Sequence, residues 1–153
     1  DDNNIRLIIV GEGSERGSYE NFVKEKNIDD VVFVGYVSSK ELPKYYSTCD
    51  IFCSPATHGE GFGIVLLEAM ATGKPIVAFA NTGYKQVING YAKKFLVKPH
   101  DTEQLTKKLV ILIKNEKLRL KLGRWGLKEV QKYSWENIGN EILKVYEKVL
   151  NEK

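Results

Sequence analysis

The residues with the clearest chemical potential are two glutamates, Glu60 and Glu68, in the stretch HGEGFGIVLLEAMATG at positions 58–73. Between them lie two glycines, Gly61 and Gly63, which let a ligand approach the backbone closely. The free amides at the start of a helix favour an anion, above all a phosphate. On one helix, residues eight positions apart are separated by about 12 Å along the axis and roughly 80° around it. We therefore expect the two carboxylates to contact different parts of one elongated ligand, and not to share a metal ion.

The elongated ligand would have a phosphate in its middle. A phosphate bound at the amides between the glutamates leaves a sugar on one side and a nucleoside on the other. Carboxylates are good acceptors for the hydroxyls of a sugar and of a ribose. The alternative is structural, with Glu60 near the positive end of a helix dipole and Glu68 on the surface. Glu68 lies in the apolar run IVLLEAMA, where an unpaired buried carboxylate is costly, so we favour binding roles.

Composition and charge exclude several classes of protein. The 153 residues suit one domain with a real core, and 42% hydrophobic with 28% charged residues is ordinary for a globular chain. A net charge of +3 is too small to indicate nucleic-acid binding. Apolar runs fall short of the roughly 20 residues that a membrane span needs. The opening DDNNIRLIIV is acidic and polar, so we expect no signal peptide.

The cysteines and the one histidine near the glutamates have ordinary interpretations. Cys49 and Cys53 do not make a disulfide framework, and we interpret them as small apolar packing residues, not metal ligands. No metal site is expected. A reducing, cytoplasmic location follows from the cysteine usage. His58 is either a histidine on the rim of the pocket or a direct contact to the sugar.

Apolar runs bounded by turn residues predict strands that alternate with helices. Predicted strands lie at 5–10, 31–37, 50–54, 75–80 and 94–97. Predicted helices lie at 18–26, 39–48, 62–72, 101–115, 116–133 and 135–150. Strands separated by helices indicate βαβ units and a mostly parallel sheet, and right-handed crossovers make it a doubly wound, Rossmann-like α/β fold. The strand at 5–10 is expected to be buried. Ligands bind beyond the carboxyl ends of such strands, where the strand at 50–54 delivers the glutamate loop.

The run SPATHGEGFGIVLLEAMATGKPIVAF resembles the E-x7-E signature of the family 4 retaining glycosyltransferases of the GT-B fold. The nearest variant is that of the phosphatidylinositol mannosyltransferases. The similarity extends over the whole chain, through LIIVGEGSE, VVFVGYVSSKELPKYYSTCDIF, FLVKPHDTEQLTKKLVILIKNEKLRLKLG and YSWENIGNEILKVYEKVL. The resemblance implies a C-terminal, nucleotide-sugar-binding domain.

The resemblance also implies a role for each motif position. Glu60 would be the catalytic carboxylate near the donor sugar hydroxyls and the reacting carbon, and Glu68 would bind the ribose. Positions implied to meet the donor sugar and diphosphate, with His58 beside them, are Gly61, Phe62, Gly63 and Ile64. Positions implied to lie near the nucleoside are Gly35, Tyr36, Val37 and, at the start of the helix, Val65 and Leu66.

By resemblance, the intact enzyme transfers a hexosyl group, mannosyl or glucosyl, from a GDP- or UDP-sugar to a hydroxyl of a lipid or glycan, with retention. No cofactor and no strictly required metal is implied, and the intact enzyme would associate peripherally with a membrane. Ser39 stands where some guanine-specific members carry an acidic residue, which weakens the case for a GDP-sugar. Alternatives are a glycogen- or starch-synthase-like transferase, a GT-B phosphorylase, and a nucleotide-binding module without catalysis.

The resemblance predicts parts that this sequence does not contain. A family C-terminal domain starts with one more strand and helix, bearing an arginine and a lysine for the diphosphate, and follows an N-terminal domain that holds the acceptor. We therefore expect a fragment of a larger two-domain enzyme, inactive by itself. The central strand of the sheet would be supplied by strand exchange, by an oligomer or by a rearranged sheet. The segment NTGYKQVI departs from the Gly-Gly and Glu that the family often has there.

Overall fold

The computed structural model describes residues 5–152 and divides into two compact units, Asp1–Leu42 and Pro43–Lys153. The first unit is a single βαβ motif. It contains strand β1 (Leu7–Val10), helix α1 (Arg16–Glu25) and strand β2 (Val31–Gly35). β1 and β2 pair in parallel, as the alternating pattern predicts.

The prediction that the first strand is buried is wrong. Leu7 is 50% exposed and Ile8 is 43% exposed, and α1 has no buried residue. Two strands and one crossover helix bury little apolar surface, and small two-stranded sheets depend on further packing for stability. The apolar, β-branched run therefore predicted where the strand lies, but it did not predict that the side chains of the strand are exposed.

The second unit contains the remaining helices and strands. Its helices are α2 (Leu42–Thr48), which begins at the last residue of the first unit, α3 (Ile64–Ala71), α4 (Thr82–Val87), α5 (Thr102–Ile113), α6 (Glu116–Glu129) and α7 (Trp135–Asn151). Its strands are β3 (Phe52–Ser54), β4 (Ile76–Phe79) and β5 (Leu96–Val97). Two 3₁₀ helices, Gly90–Phe95 and Val130–Tyr133, complete the unit. The three strands pair in parallel in the order β3-β4-β5, which confirms the parallel α/β class.

The core of the second unit surrounds its central strand. All four residues of β4 are buried, which fits an uninterrupted apolar strand covered on both faces. From α3, Leu66 and Met70 are fully buried, and Leu112 of α5 is fully buried as well. Burial of each such side chain contributes about 1.5–3 kcal/mol. The core therefore fixes α3, the helix that carries Glu68, against β4.

Three predicted helix ends are marked by features of their caps. The side chain of Asp101 accepts a hydrogen bond from the Gln104 amide at 2.9 Å, and Ser134 caps α7 as predicted. α3 ends just before Gly73, whose φ of 70° lies in the left-handed region that favours glycine at a helix end.

Several predicted boundaries differ from the structure, among them the following three. α2 begins at Leu42 and not at 39, because the carbonyl of Ser38 accepts from the amides of Glu41 and Leu42 and makes a turn there. The predicted strand 94–97 is reduced to β5, since a 3₁₀ helix extends to Phe95. The predicted helix 116–133 ends at Glu129 and continues as a 3₁₀ helix.

α3 and α6 approach each other closely through glycines. A Cβ at Gly123 would lie 2.1 Å from the carbonyl oxygen of Gly73, and one at Gly126 would lie 3.3 Å from Met70 Cγ. Real Cβ atoms do not approach other atoms as closely as 2.1 Å, so only glycine fits at position 123. α6 thereby supports the C-terminal end of α3.

Candidate nucleotide-sugar site

β3 delivers the chain to a loop that carries the first motif glutamate. The strand ends at Ser54 and α3 begins at Ile64, so Glu60 lies in the connection and only Glu68 is helical. The prediction that the helix begins at Phe62 is wrong by two residues. The separation expected for two residues on one helix therefore does not apply to Glu60 and Glu68. The first amides of α3 have no intrahelical acceptor and remain suited to an anion.

Gly63 marks the point where the loop becomes the helix. Its φ is 98°, in the left-handed region, and a Cβ there would lie 2.6 Å from Cδ1 of Tyr84. A side chain at this position is therefore excluded twice, by backbone conformation and by space. The glycine of the motif serves to fit the loop against α4.

Glu60 is half-buried and lines an open cleft of about 360 Å³. The other lining residues are Thr57, His58, Gly59, Ala80, Asn81, Thr82, Lys85 and Pro99. The cleft combines one carboxylate, one ammonium and several neutral hydrogen-bonding groups. A hydroxyl-rich ligand fits this chemistry, since its donors and acceptors can be matched without a large net charge.

A buried tyrosine lies behind Glu60. Tyr84 of α4 is fully buried, and its hydroxyl is 2.6 Å from Oγ of Ser54. Burial, more than the nearby carboxylate of Glu60, raises the pKa of Tyr84 above its usual value. The phenol is therefore protonated at neutral pH.

Glu68 also has a tyrosine partner. The hydroxyl of Tyr46, a buried residue of α2, donates to Oε2 of Glu68 at 2.7 Å. Burial, together with this hydrogen bond and the charge of Glu68, raises the pKa of Tyr46 well above its usual value. The carboxylate of Glu68 is therefore not left unpaired. Its second oxygen gives the carboxylate further accepting capacity, which suits a ribose hydroxyl.

The remaining positions implied by the motif differ in exposure. His58 is exposed and its Nδ1 is 2.8 Å from Oγ1 of Thr57. Phe62 packs edge-on against Tyr133, with ring centroids 5.6 Å apart. Ile64 is 63% exposed. Gly61, in the loop before α3, is exposed, and Val65, near the start of α3, is half-buried. Both positions are accessible to a ligand.

The positions implied to face the base belong to the first unit. Gly35 is buried, with a φ of 81°, and a Cβ there would lie 2.5 Å from Oε1 of Glu12. Tyr36 is 80% exposed, and Val37 is half-buried. The predicted strand range 31–37 is too long, because β2 ends at Gly35. Tyr36 and Val37 therefore follow the strand.

Several site residues were not predicted from the sequence. They are Tyr46, which donates to Glu68, Ser54 and Tyr84, whose hydroxyls pair with each other, and Asn81 and Lys85 of the cleft. Asn81 caps α4 by accepting from the Tyr84 amide at 2.9 Å and donates to the carbonyl of Ala56 at 3.0 Å. An asparagine before TGYKQV is a typical N-cap signal, and it could have identified α4.

The described residues contain neither a metal-binding cluster nor a helix able to span a membrane. Over residues 5–152, no three His, Cys, Asp or Glu side chains come together as a group that could hold a metal ion. In the same part of the chain, every helix falls short of the length and apolarity that crossing a bilayer requires. Cys49 and Cys53 are unpaired and half-buried, and burial raises the pKa of Cys53 to about 11.

Comparison with known proteins assigns the family. The sequence model of the family described as "Glycosyl transferases group 1" matches residues 1–129. The chain is a group 1 glycosyl transferase. The resemblance of the E-x7-E run and of the sequence around it is thereby confirmed.

Curated relatives of this glycosyl transferase are longer proteins. The chain is 33% identical over 147 residues to a phosphatidyl-myo-inositol mannosyltransferase of Mycobacterium leprae. That match covers 95% of this chain and 38% of the relative. The chain thus spans well under half the length of that mannosyltransferase.

Solved structures confirm the fold. The C-terminal domain of a group 1 glycosyl transferase from Francisella tularensis superposes with a TM-score of 0.75 at 32% identity, over 85% of this chain and 70% of that one. A mutant of TarM from S. aureus, in complex with UDP among other ligands, has a TM-score of 0.83 at 26% identity. The TarM match covers 95% of this chain and 29% of that one. The glycosyl transferase chain therefore has the fold of a C-terminal GT-B domain.

Proposed function

We propose that this chain binds the nucleotide-sugar donor of a retaining hexosyltransferase, with the sugar at Glu60 and the ribose at Glu68. The observation that carries the proposal is the arrangement of one loop and one helix. Glu60 lines the cleft just before α3, the first amides of α3 follow, and Glu68 lies one turn further on with an oriented carboxylate. Sugar, diphosphate and ribose have the same order in a nucleotide sugar.

The donor would be a UDP- or GDP-sugar and the transferred group mannosyl or glucosyl. Support comes from the mannosyltransferase name of one relative and from the UDP bound to TarM. The backbone from Gly61 to Ile64 would meet the sugar and diphosphate, while Val65 would lie near the nucleotide. Gly35, Tyr36 and Val37 are proposed to contact the base.

In the proposed reaction, the bond from the anomeric carbon to the diphosphate oxygen breaks and a bond to an acceptor hydroxyl oxygen forms. The acceptor proton leaves with the diphosphate. Glu60 would stabilise the positive charge that develops on the sugar, as carboxylates do at oxocarbenium-like transition states. Retention then requires the acceptor to arrive from the face that the diphosphate leaves. No cofactor takes part in this scheme.

The acceptor would be a lipid or glycan hydroxyl held by a further domain, with peripheral association of the whole enzyme at the membrane. We also propose that this chain shows no transferase activity by itself, since the residues proposed for the site would all contact the donor. A nucleotide-binding module without catalysis would need Glu68 but would have little use for Glu60.

The experiment is calorimetric titration of the chain with UDP, GDP and ADP, with Glu68→Gln as the variant and Glu103→Gln, on exposed α5 surface, as the matched control. Binding of one diphosphate, weakened about tenfold in Glu68→Gln and unchanged in the control, is the expected result. Equal affinities in all three proteins would contradict the ribose role. Absence of binding to all three nucleotides would contradict donor binding by this chain alone.

A further inference from the structure

Positive charge is distributed unevenly along this chain. Residues 90–128 contain eleven lysines and arginines against three acidic residues, whereas the whole chain has 23 against 20. The remainder of the chain therefore has an acidic excess, with twelve basic and seventeen acidic residues. The basic part runs from the 3₁₀ helix Gly90–Phe95 through α5 into α6, and all of it belongs to the second unit.

Four of these cations form a stripe along one side of α6. All four are exposed, and they are Lys117, Lys121, Arg124 and Lys128. Their spacing of four, three and four positions keeps them within about 60° of one another and spreads them over about 16 Å of the helix axis. Gly123 and Gly126, on the other side of α6, fit against Gly73 and Met70. The stripe therefore lies on the side of α6 that faces away from the core.

A tyrosine beside α6 brings a fifth cation to the stripe. Nζ of Lys121 lies 4.6 Å from the ring centroid of Tyr91, and Nζ of Lys94 lies 3.9 Å from the same centroid. Both distances are those of cation–π contacts, so the ammonium groups of two elements meet at one exposed ring. We call Lys94 and the four cations of the stripe the basic face.

Within the described part of the chain, none of the five cations of the basic face forms an ion pair. Other cations have a carboxylate at helical spacing, as Lys107 has in Glu103. Like charges three or four positions apart destabilise a helix. The stripe is therefore unfavourable for the protein alone, and an anionic partner would relieve the repulsion.

The two glutamates of α6 do not neutralise the stripe. The carboxylate of Glu129 accepts from Lys132 at 2.6 Å and from Asn89 at 2.8 Å, so its oxygens are directed away to those partners. Glu116 lies about 100° around the helix from Lys117. The basic face thus keeps its charge over its whole length.

Two exposed apolar side chains border the basic face. Tyr91 is 43% exposed, and Leu120, one position before Lys121, is 51% exposed. Proteins that bind a bilayer surface combine basic side chains, which meet anionic headgroups, with apolar groups that enter the boundary of the acyl chains. The basic face and its two apolar neighbours have this combination.

Other anionic partners fit the basic face less well. A single small anion needs donors that converge on one point, whereas the stripe extends over about 16 Å. Single-stranded nucleic acid stacks its bases on open aromatic rings, and the ring of Tyr91 is already in contact with two ammonium groups. An extended anionic surface matches both the length and the charge.

We propose that the basic face binds the anionic surface of a lipid bilayer, with Tyr91 and Leu120 at the level of the headgroups. The proposal goes beyond the nucleotide-sugar site, because the residues that line the cleft do not include any member of the basic face. It gives the peripheral membrane association proposed above a location on this chain.

The test is co-sedimentation of this chain with lipid vesicles at low ionic strength, where screening is weak. Vesicles of phosphatidylglycerol and phosphatidylcholine in about equal parts should bind the chain, and vesicles of phosphatidylcholine alone should not. Each basic residue near an anionic bilayer contributes about fivefold to binding. Replacing the four cations of the stripe by glutamine should therefore weaken binding more than about 100-fold.

The matched control removes the same number of positive charges elsewhere on the surface. Its four exposed lysines, each replaced by glutamine, are Lys24, Lys26, Lys144 and Lys148. This control should weaken vesicle binding less than about tenfold. Leu120→Gln should weaken vesicle binding about fivefold and should leave any binding of a labelled single-stranded RNA unchanged.

Every outcome bears on the proposal. Equal losses in the two fourfold variants would overturn the basic face, since net charge alone would then determine binding. Equal binding to both kinds of vesicle, binding to neither, or tighter binding to the RNA that the stripe variant loses, would overturn the lipid partner. Should the stripe variant lose its helical circular dichroism, Lys117→Gln/Arg124→Gln replaces it, with an expected loss of about 25-fold.

Titration with UDP distinguishes this proposal from the proposed function. The stripe variant should bind UDP as the unmodified chain does. If the unmodified chain binds anionic vesicles but no UDP, the donor site fails and the basic face stands. If it binds UDP but no anionic vesicles, the basic face fails and the donor site stands.

Discussion

One of the two motif glutamates, Glu68, is held by a tyrosine from another helix. Tyr46 of α2 donates to its carboxylate at 2.7 Å. Hydrogen bonds to charged groups contribute about 1.5–3 kcal/mol, enough to keep a carboxylate in one orientation before a ligand arrives. Such preorganisation lowers the ordering cost of binding.

We expect Gly83→Ala to destabilise the second unit by about 1–3 kcal/mol. A Cβ at Gly83 would lie 2.5 Å from the Glu60 carbonyl oxygen and 2.9 Å from the Phe62 amide nitrogen, so the glutamate loop must move. The matched control is Gly139→Ala in α7, where nothing lies within 4 Å of the new Cβ.

The control should be stabilising by up to about 1 kcal/mol, because alanine is the better helix former. Urea unfolding of the two variants and the parent chain measures both effects. If Gly83→Ala is as stable as Gly139→Ala, the close fit between α4 and the loop is not a feature of the protein in solution.

The sequence predicted the chemistry of the two glutamates but not the partner of Glu68. Residue types and spacing were sufficient to select Glu60, Glu68 and the glycines between them. Tyr46 is separated from Glu68 by 22 positions, beyond the reach of any local pattern. The donor that satisfies Glu68 lies on another helix, so the sequence did not indicate it.

At the scale of elements, α3 is supported at both ends. α4 fits against the loop before it through Gly63 and Gly83, and α6 fits against its C-terminal end through Gly123. A further hydrogen bond connects α6 with the segment that follows α4. Nδ2 of Asn89 donates to Oε1 of Glu129 at 2.8 Å. The helix that carries Glu68 is therefore fixed by its neighbours, independently of its intrinsic helix propensity.

The stability of the second unit should depend on pH through Glu129. The hydrogen bond from Asn89, with that from Lys132, lowers the pKa of this carboxyl below its ordinary value of 4.5. A carboxyl whose pKa is lower in the folded state adds stability above its unfolded pKa, and that stability is lost as pH falls through the folded pKa. Glu129→Gln should thus lower the free energy of unfolding by about 1–2 kcal/mol at pH 7.

The difference between Glu129→Gln and the parent should shrink as pH falls below about 4.5. Guanidinium unfolding at pH 7 and pH 3 measures it. Glu103→Gln, which removes an exposed ion pair with Lys107, is the control and should change stability little at either pH. A Glu129→Gln effect of the same size at both values would exclude the linkage to its ionisation.

Helix ends with a local cap were predicted, whereas α4 was missed and β5 was predicted too long. Asp101, Ser134 and Gly73 identified helix ends because each cap is a local interaction between neighbouring residues. α4 was missed because its six residues, TGYKQV, are too few to establish a helical period. The two-residue strand β5 is placed by its pairing with β4, which no local signal specifies.

At the scale of the whole molecule, burial differs between the two units. Every buried apolar side chain among the described residues, from Tyr46 to Leu122, belongs to the second unit. In the first unit β1 exposes Leu7 and Ile8. The expectation that the place of the central strand is filled by another chain, by an exchanged segment or by a rearranged sheet stays a prediction.

Backbone amides of β1 and β2 should therefore exchange with solvent much faster than those of β4. Local opening free energy follows the amount of buried apolar contact, and β4 is buried at all four positions. Hydrogen–deuterium exchange with mass spectrometry measures the protection of each strand after correction for intrinsic rates. Protection of β1 equal to that of β4 would contradict this difference in local stability.

The close fit of α4 to the glutamate loop limits how the protein can be redesigned. Suppose that the loop from Pro55 to Gly63 is replaced by that of a homologue with another donor. Different side chains would then lie against Gly83 and Tyr84. These two residues pack closely against the present loop, so a loop with another backbone path would not fit. The loop and the segment Asn81–Ile88 form one module, although 17 residues separate them in the chain. Recombination that transfers both segments together should preserve folding, whereas transfer of the loop alone should not.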